Sequence, residues 1–160
     1  MQQTTDTFRS ITIDPGVTTG YVKSRMQDGV LTVTPGQAKM TPYAFQFFLE
    51  INAKPPTILI CEDFELRPGK MEGVIFYSAY IIGVTMAHAE RNKLDLIMQK
   101  PAYGMGGYFR TIEKLKEAGV YKGGKDYEHS MAAMRHFMQW FTYGPGYRFG
   151  QHNPIVELKI

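Results

Sequence analysis

The chain has one cysteine, Cys61, so no disulfide can form within it and the fold must rest on a packed core. That cysteine lies in the apolar run Ile58–Cys61, the setting of a buried thiol in a reducing compartment. No apolar run reaches the ~18 residues of a membrane span. The opening MQQTTDTF carries no hydrophobic secretion segment. The expectation is a cytoplasmic protein (host-cell cytoplasm if viral) with no membrane partner. A strong charge of one sign is also missing: 18 basic and 15 acidic residues leave a net charge of +3. That balance permits a polyanion partner without demanding one. There is no internal repeat and no low-complexity tract, which excludes repeat arrays.

What is present reads as one globular unit. Apolar residues make up 44% of 160 residues, and residues 1–160 are expected to form a single domain with an irregular tail from about 144. Residues 10–15, 20–26 and 30–34 read as three antiparallel strands, with Asp28-Gly29 as the second hairpin turn. Thr41-Pro42 is a helix start, and the helix 42–51 carries Tyr43, Phe47 and Phe48 on its apolar side. The run Thr57–Cys61, TILIC, suits a central strand covered on both faces. Residues 64–73 form a charged loop suited to touching a ligand. Residues 74–91 form a helix apolar nearly all round, buried in the core or at a subunit interface.

A strand at 94–99 follows, then a glycine-rich loop at 101–108, a polar helix at 109–118 and a last helix from about 126 to 143. The tail leaves room for a final strand at 155–160. This order predicts a mixed α/β fold: three antiparallel strands, then two parallel strands, flanked by helices. Right-handed crossovers place strands one, four and five side by side. Asp14 and Glu62 then share the carboxyl edge of the sheet, where open α/β sheets bind ligands.

The chemistry gathers at that edge. Asp14 ends a strand and faces Pro15-Gly16 and Val17-Thr18-Thr19-Gly20; the alternative is an ordinary hairpin turn. On the last helix Asp126, His129, Ala132, Ala133 and His136 recur at steps of three or four. Packed across the strand ends, that helix makes a site of Asp14, Glu62 and His129, with Asp126 or Asp63 as a further ligand. Such a set suits two divalent ions: Mg²⁺ prefers oxygen donors, and Mn²⁺ also accepts an imidazole. Positive charge clusters after Glu90, including Lys100, Arg110, Lys122 and Lys125, and can track a phosphate backbone; with Arg67 and Lys70 of the loop these are the candidate contacts to it. The competing readings are a plain strand end at Glu62-Asp63, ordinary helix histidines and a merely solvated basic surface.

The segments ITIDPGVTTGYV, ILICEDF, MQKPAYG and EHSMAAMRHFMQWF, in this order and spacing, resemble the RuvC-type Holliday junction resolvases. These belong to the RNase H-like superfamily, and the resemblance is greatest to their small bacteriophage relatives. It covers roughly Ile11–Phe141. It implies an RNase H-like fold and a structure-selective endodeoxyribonuclease. Such an enzyme nicks four-way and other branched DNA with Mg²⁺ or Mn²⁺, two ions per site. It also implies a homodimer, here through helix 74–91. Asp14 matches the first catalytic carboxylate and Glu62 the second; His129, Ala133, Arg135 and His136 match the helix motif.

The position of the family's catalytic aspartate is Ala132, so the resemblance predicts a chain inactive or impaired in cleavage. Three accounts compete: a deliberate substitution, a natural loss of cleavage, or replacement by Asp126. Asp126 lies six residues ahead of Ala132, about 9 Å along a helix axis, too far to fill the same position. The intact surrounding motif favours the deliberate change. The alternatives in function are a non-catalytic branched-DNA-binding protein and a terminase-type nuclease of the same fold. A further one is an ATP-using enzyme, from the pattern Asp14, Gly16, Thr18, Gly20.

Overall fold

The structure, a computed structural model, describes residues 7–64, 74–151 and 153–160. One six-stranded sheet runs through it. Its strands are β1 (Phe8–Asp14), β2 (Thr18–Gln27), β3 (Val30–Lys39), β4 (Thr57–Glu62), β5 (Leu96–Gln99) and β6 (Ile155–Leu158). Their order across the sheet is β5-β4-β1-β2-β3-β6. β1, β2 and β3 are antiparallel; β4 runs parallel to β1, β5 to β4 and β6 to β3. The helices are α1 (Pro42–Asn52), α2 (Val74–Asn92), α3 (Pro101–Gly106), α4 (Ile112–Glu117), α5 (Glu128–Tyr143) and α6 (Tyr147–Gly150). This is the RNase H-like mixed sheet flanked by helices.

Strand alternation divides the core in two. Ile11, Ile13, Leu59 and Cys61 point to one face, where they meet Phe45 and Leu49 of α1 and Ile81 of α2. Phe8, Val22, Leu31 and Ile60 point to the other, under Met134, Phe137 and Trp140 of α5. Asp28 and Gly29 both have positive φ, 51° and 76°, as the tight β2–β3 turn requires. Burial pushes the Cys61 thiol far above its usual range, which leaves it an inert core residue.

Three elements differ from the sequence-based expectation. Thr41 caps α1, its Oγ1 accepting from the Ala44 N–H at 3.1 Å, but of Tyr43, Phe47 and Phe48, expected on its apolar side, only Phe48 packs against the core. Phe45 and Leu49, four apart, face the core, so Tyr43 and Phe47 on the opposite stripe are 81% and 59% exposed. Pro101–Gly106 is a helix rather than a glycine-rich loop, started by the proline after Lys100. The tail from 144 contains α6, which was not expected, while β6 lies beside β3 within the span 155–160 where a final strand was expected. Phe76 and Tyr80 of α2 are each 59% exposed, so this helix is not wholly in the core, the first of the two settings expected for it. The loop expected at 64–73, with Arg67 and Lys70, lies outside the described residues beyond Phe64.

Candidate active site

The strand pairing builds a row of residues across the sheet. Asp14 pairs with Gly20, Gly20 with Gln37, and Glu62 with Gln99. Asp14 and Glu62 each follow the Ile13–Cys61 pair of the two parallel strands, so they are lateral neighbours. The row across β5, β4, β1, β2 and β3 therefore reads Gln99, Glu62, Asp14, Gly20, Gln37. α5 lies across it. Residues 129 to 136 advance about 10 Å along the helix. That matches two strand spacings of about 4.8 Å each. His129 therefore reaches Asp14 while His136 reaches Glu62 and Gln99.

The contacts follow from this crossing. His129 Nδ1 lies 3.5 Å from Asp14 Oδ2, with both side chains open to solvent in part. His136 is 1% exposed; its Nε2 lies 2.7 Å from Glu62 Oε2 and its Nδ1 2.8 Å from Gln99 Oε1. A charged ring donates from both nitrogens. A neutral ring makes the same contacts with the Gln99 amide turned to donate to Nδ1. In either state the Nε2–H donates to Glu62.

Gln37 closes the other end. Its Oε1 accepts from the backbone N–H of His129 at 2.8 Å and of Ser130 at 3.4 Å, and its Nε2 donates to the Lys125 carbonyl at 3.2 Å. α5 has no side-chain cap of its own, so a residue of β3 supplies one. Gly20 is required by the close approach: a Cβ there would lie 2.0 Å from the His129 carbonyl oxygen.

The site is electrostatically loaded. Burial raises the Asp14 carboxyl from 3.8 to about 6, the nearby charge of Glu62 adds to the rise, and His129 and His136 oppose it. Hard divalent ions take donors of these types. The donors do not converge, however. Glu62 is turned onto His136, and among the described residues no three His, Cys, Asp or Glu side chains stand together to hold an ion. Between His129 and His136 on the same helix face stands Ala132, which offers no donor atom. Among the described residues the chain as it stands does not fit the two-ion site expected from its sequence.

The other expected ligands are placed elsewhere. Asp63 is exposed, and its Oδ1 accepts from the Phe64 N–H at 2.8 Å. Asp126 is exposed in the 3₁₀ turn Lys125–Tyr127 that precedes α5. Lys100, one residue past Gln99, is exposed, as are Arg110 and Lys125; Lys122 is half-buried. Gln37, Gln99 and Gly20 are site residues that the sequence did not announce. The one available signal was Gly20 itself, a glycine inside a strand, which marks close approach of another backbone.

Together these features define an RNase H-like α/β protein with paired carboxylates under a histidine-bearing helix. The fold is similar to that of RuvC from T. thermophilus in complex with a Holliday junction substrate. The TM-score is 0.61 at 11% sequence identity, covering 92% of this chain and 99% of that one. A second structure of Thermus thermophilus RuvC gives a TM-score of 0.59 at 12% identity, covering 92% and 100%. No protein-family model matches the sequence, and no curated protein matches it either.

Proposed function

We propose that this chain binds branched DNA, four-way junctions above all, as a structure-selective endodeoxyribonuclease of the RuvC type. In this reading its cleavage is disabled by Ala132. The observation that carries it is the pair Asp14 and Glu62 on adjacent parallel strand ends, crossed by a helix that sets His129 and His136 on them. This arrangement sits in the fold of a protein whose own structure holds a Holliday junction. Ala132 faces the same gap between the two histidines. An aspartate there would add a third carboxylate beside Glu62 and Asp14, whose carboxyl burial first and the charge of Glu62 second already raise to about 6, and three such carboxylates are a donor set for divalent cations. Mg²⁺ or Mn²⁺ is the cofactor proposed for that restored set.

Lys100, Arg110, Lys122 and Lys125 supply positive charge for the phosphate backbone, and recognition is of branched shape more than of base edges. A homodimer is part of the proposal. Phe76, Tyr80 and Met86 leave apolar surface exposed along α2, more than an isolated surface helix would carry. Sedimentation of the free protein tests that element.

The second reading is a branched-DNA-binding protein with no nuclease step. Glu62 locked onto His136 at 2.7 Å favours it. One experiment separates the two: binding and cleavage of an immobile four-way junction by this chain and by Ala132→Asp. Nicking by Ala132→Asp alone supports the disabled nuclease. Binding by both with nicking by neither supports the second reading. Cleavage of linear duplex as readily as junction by Ala132→Asp would point to a terminase-type task instead.

A further inference from the structure

α5 carries a second functional face. Glu128, Met131 and Arg135 each precede by one residue the positions that face the carboxylates, so they sit about 100° around the same helix. There they line a hollow of about 510 Å³, closed on its far side by Tyr121, Lys122, Lys125 and Tyr127. The volume is in the range of small-ligand sites.

Its chemistry is divided. The floor is apolar: Met131 is buried, and Ile112 lies at one edge. The rim is basic, with Lys122, Lys125 and Arg135 set against the acid Glu128. Lys122 Nζ stands 5.5 Å from the Tyr127 ring centroid, which holds an ammonium above the floor. The Arg135 Nε–H is buried and has no acceptor among the described residues. That atom is shut off from the hollow, so a phosphate at the rim would meet the part-exposed Arg135 guanidinium together with Lys122 and Lys125. An apolar floor with a rim of three basic side chains is complementary to a base inside and a phosphate at the edge.

We propose that this hollow is a nucleotide-binding subsite that holds one unpaired nucleotide of a DNA strand, its phosphate on Arg135, Lys122 and Lys125 and its base over Met131 beside Tyr127. The choice of DNA as the source of that nucleotide rests on the reading given above. Its place on α5 next to the carboxylates would let one strand cross the paired acids and drop the following nucleotide into the hollow.

The test uses the full chain and two probes, an immobile four-way junction and free deoxythymidine 5′-monophosphate, with inorganic phosphate as control. Amide shifts of residues 121–128 are followed by NMR, and junction affinity is followed against salt. The mononucleotide is expected to shift those amides more than phosphate does. Arg135→Gln is expected to weaken junction binding about tenfold. Lys122→Gln with Lys125→Gln is expected to flatten the salt slope by roughly two, about 0.9 for each phosphate no longer neutralised. Tyr127→Leu should lower affinity and leave the slope unchanged.

The lysine pair lies on the rim, so it carries the test if Arg135→Gln does not fold. Junction binding with affinity and slope unchanged in the lysine pair and in Tyr127→Leu overturns the subsite, while the DNA-binding reading stands. If the chain binds no junction, that broader reading fails, and the mononucleotide decides the hollow alone. Shifts confined to residues 121–128 then support a free-nucleotide site, and their absence overturns it.

Discussion

Replacing Gly20 by alanine tests the crossing of α5 over the sheet, on which every contact of the site depends. The new methyl would stand 2.0 Å from the His129 carbonyl oxygen and 2.2 Å from its carbon. Both are backbone atoms, so no rotamer change relieves the clash. The N-terminal half of α5 must withdraw by at least about 1 Å. The cap from Gln37 to His129, 2.8 Å long, cannot survive that shift. Overpacking of this kind costs roughly 1–3 kcal/mol. Loss of the helix cap adds about 1 kcal/mol. The expected destabilisation is therefore about 2–4 kcal/mol, a fall of roughly 5–15 °C in Tm for a chain of this size.

Urea unfolding followed by far-UV circular dichroism measures it. Gly83→Ala is the matched control. That glycine is exposed in α2, and a Cβ there would meet nothing within 4 Å. Alanine at 83 should stabilise by about 0.5–1 kcal/mol. A Gly20→Ala protein within about 0.5 kcal/mol of the parent would refute the close approach, and with it the placement of His129 on Asp14.

Three further outcomes follow from the same geometry. A carboxyl raised in the folded state keeps a proton that the unfolded chain has lost, so stability falls as pH rises from 3.8 towards 6. The fall is about 3 kcal/mol at most, and Asp14→Asn should abolish it and stabilise the protein at pH 7–8, read by denaturant midpoints in EDTA. His136→Ala removes both bonds of a buried ring and leaves Glu62 and Gln99 without partners; the expected cost is about 2–4 kcal/mol by urea unfolding. Ala132→Asp should lower Tm in EDTA through like-charge repulsion and gain more from added Mg²⁺ than the parent does, measured by thermal shift.

Much of this architecture was legible in the sequence because it is local or strictly periodic. The alternation of Ile11 and Ile13, the Asp28-Gly29 turn and the run TILIC each carry their own signal. Right-handed connections then brought Asp14 and Glu62 to one edge. What escaped depends on tertiary contact. Glutamines have no periodic signature, so nothing local marked Gln37 as the cap of a helix about ninety residues away, or Gln99 as the partner of His136. Gly104, Gly106 and Gly107 masked α3, whose start is set by Pro101. Phe45 and Phe47 are equally apolar, and only packing against the sheet decides which one of them turns inward. A final strand at 155–160 was legible, but not its partner: the pairing of Ile155–Leu158 with β3 is set by the neighbouring strand.

Cleavage of a labelled immobile four-way junction in Mg²⁺ or Mn²⁺ by this chain and by Ala132→Asp, with binding read in Ca²⁺, tests the disabled-nuclease reading outright. On that reading both proteins bind, and paired nicks appear only with Ala132→Asp. Two folded proteins that neither bind nor cut the junction would contradict it.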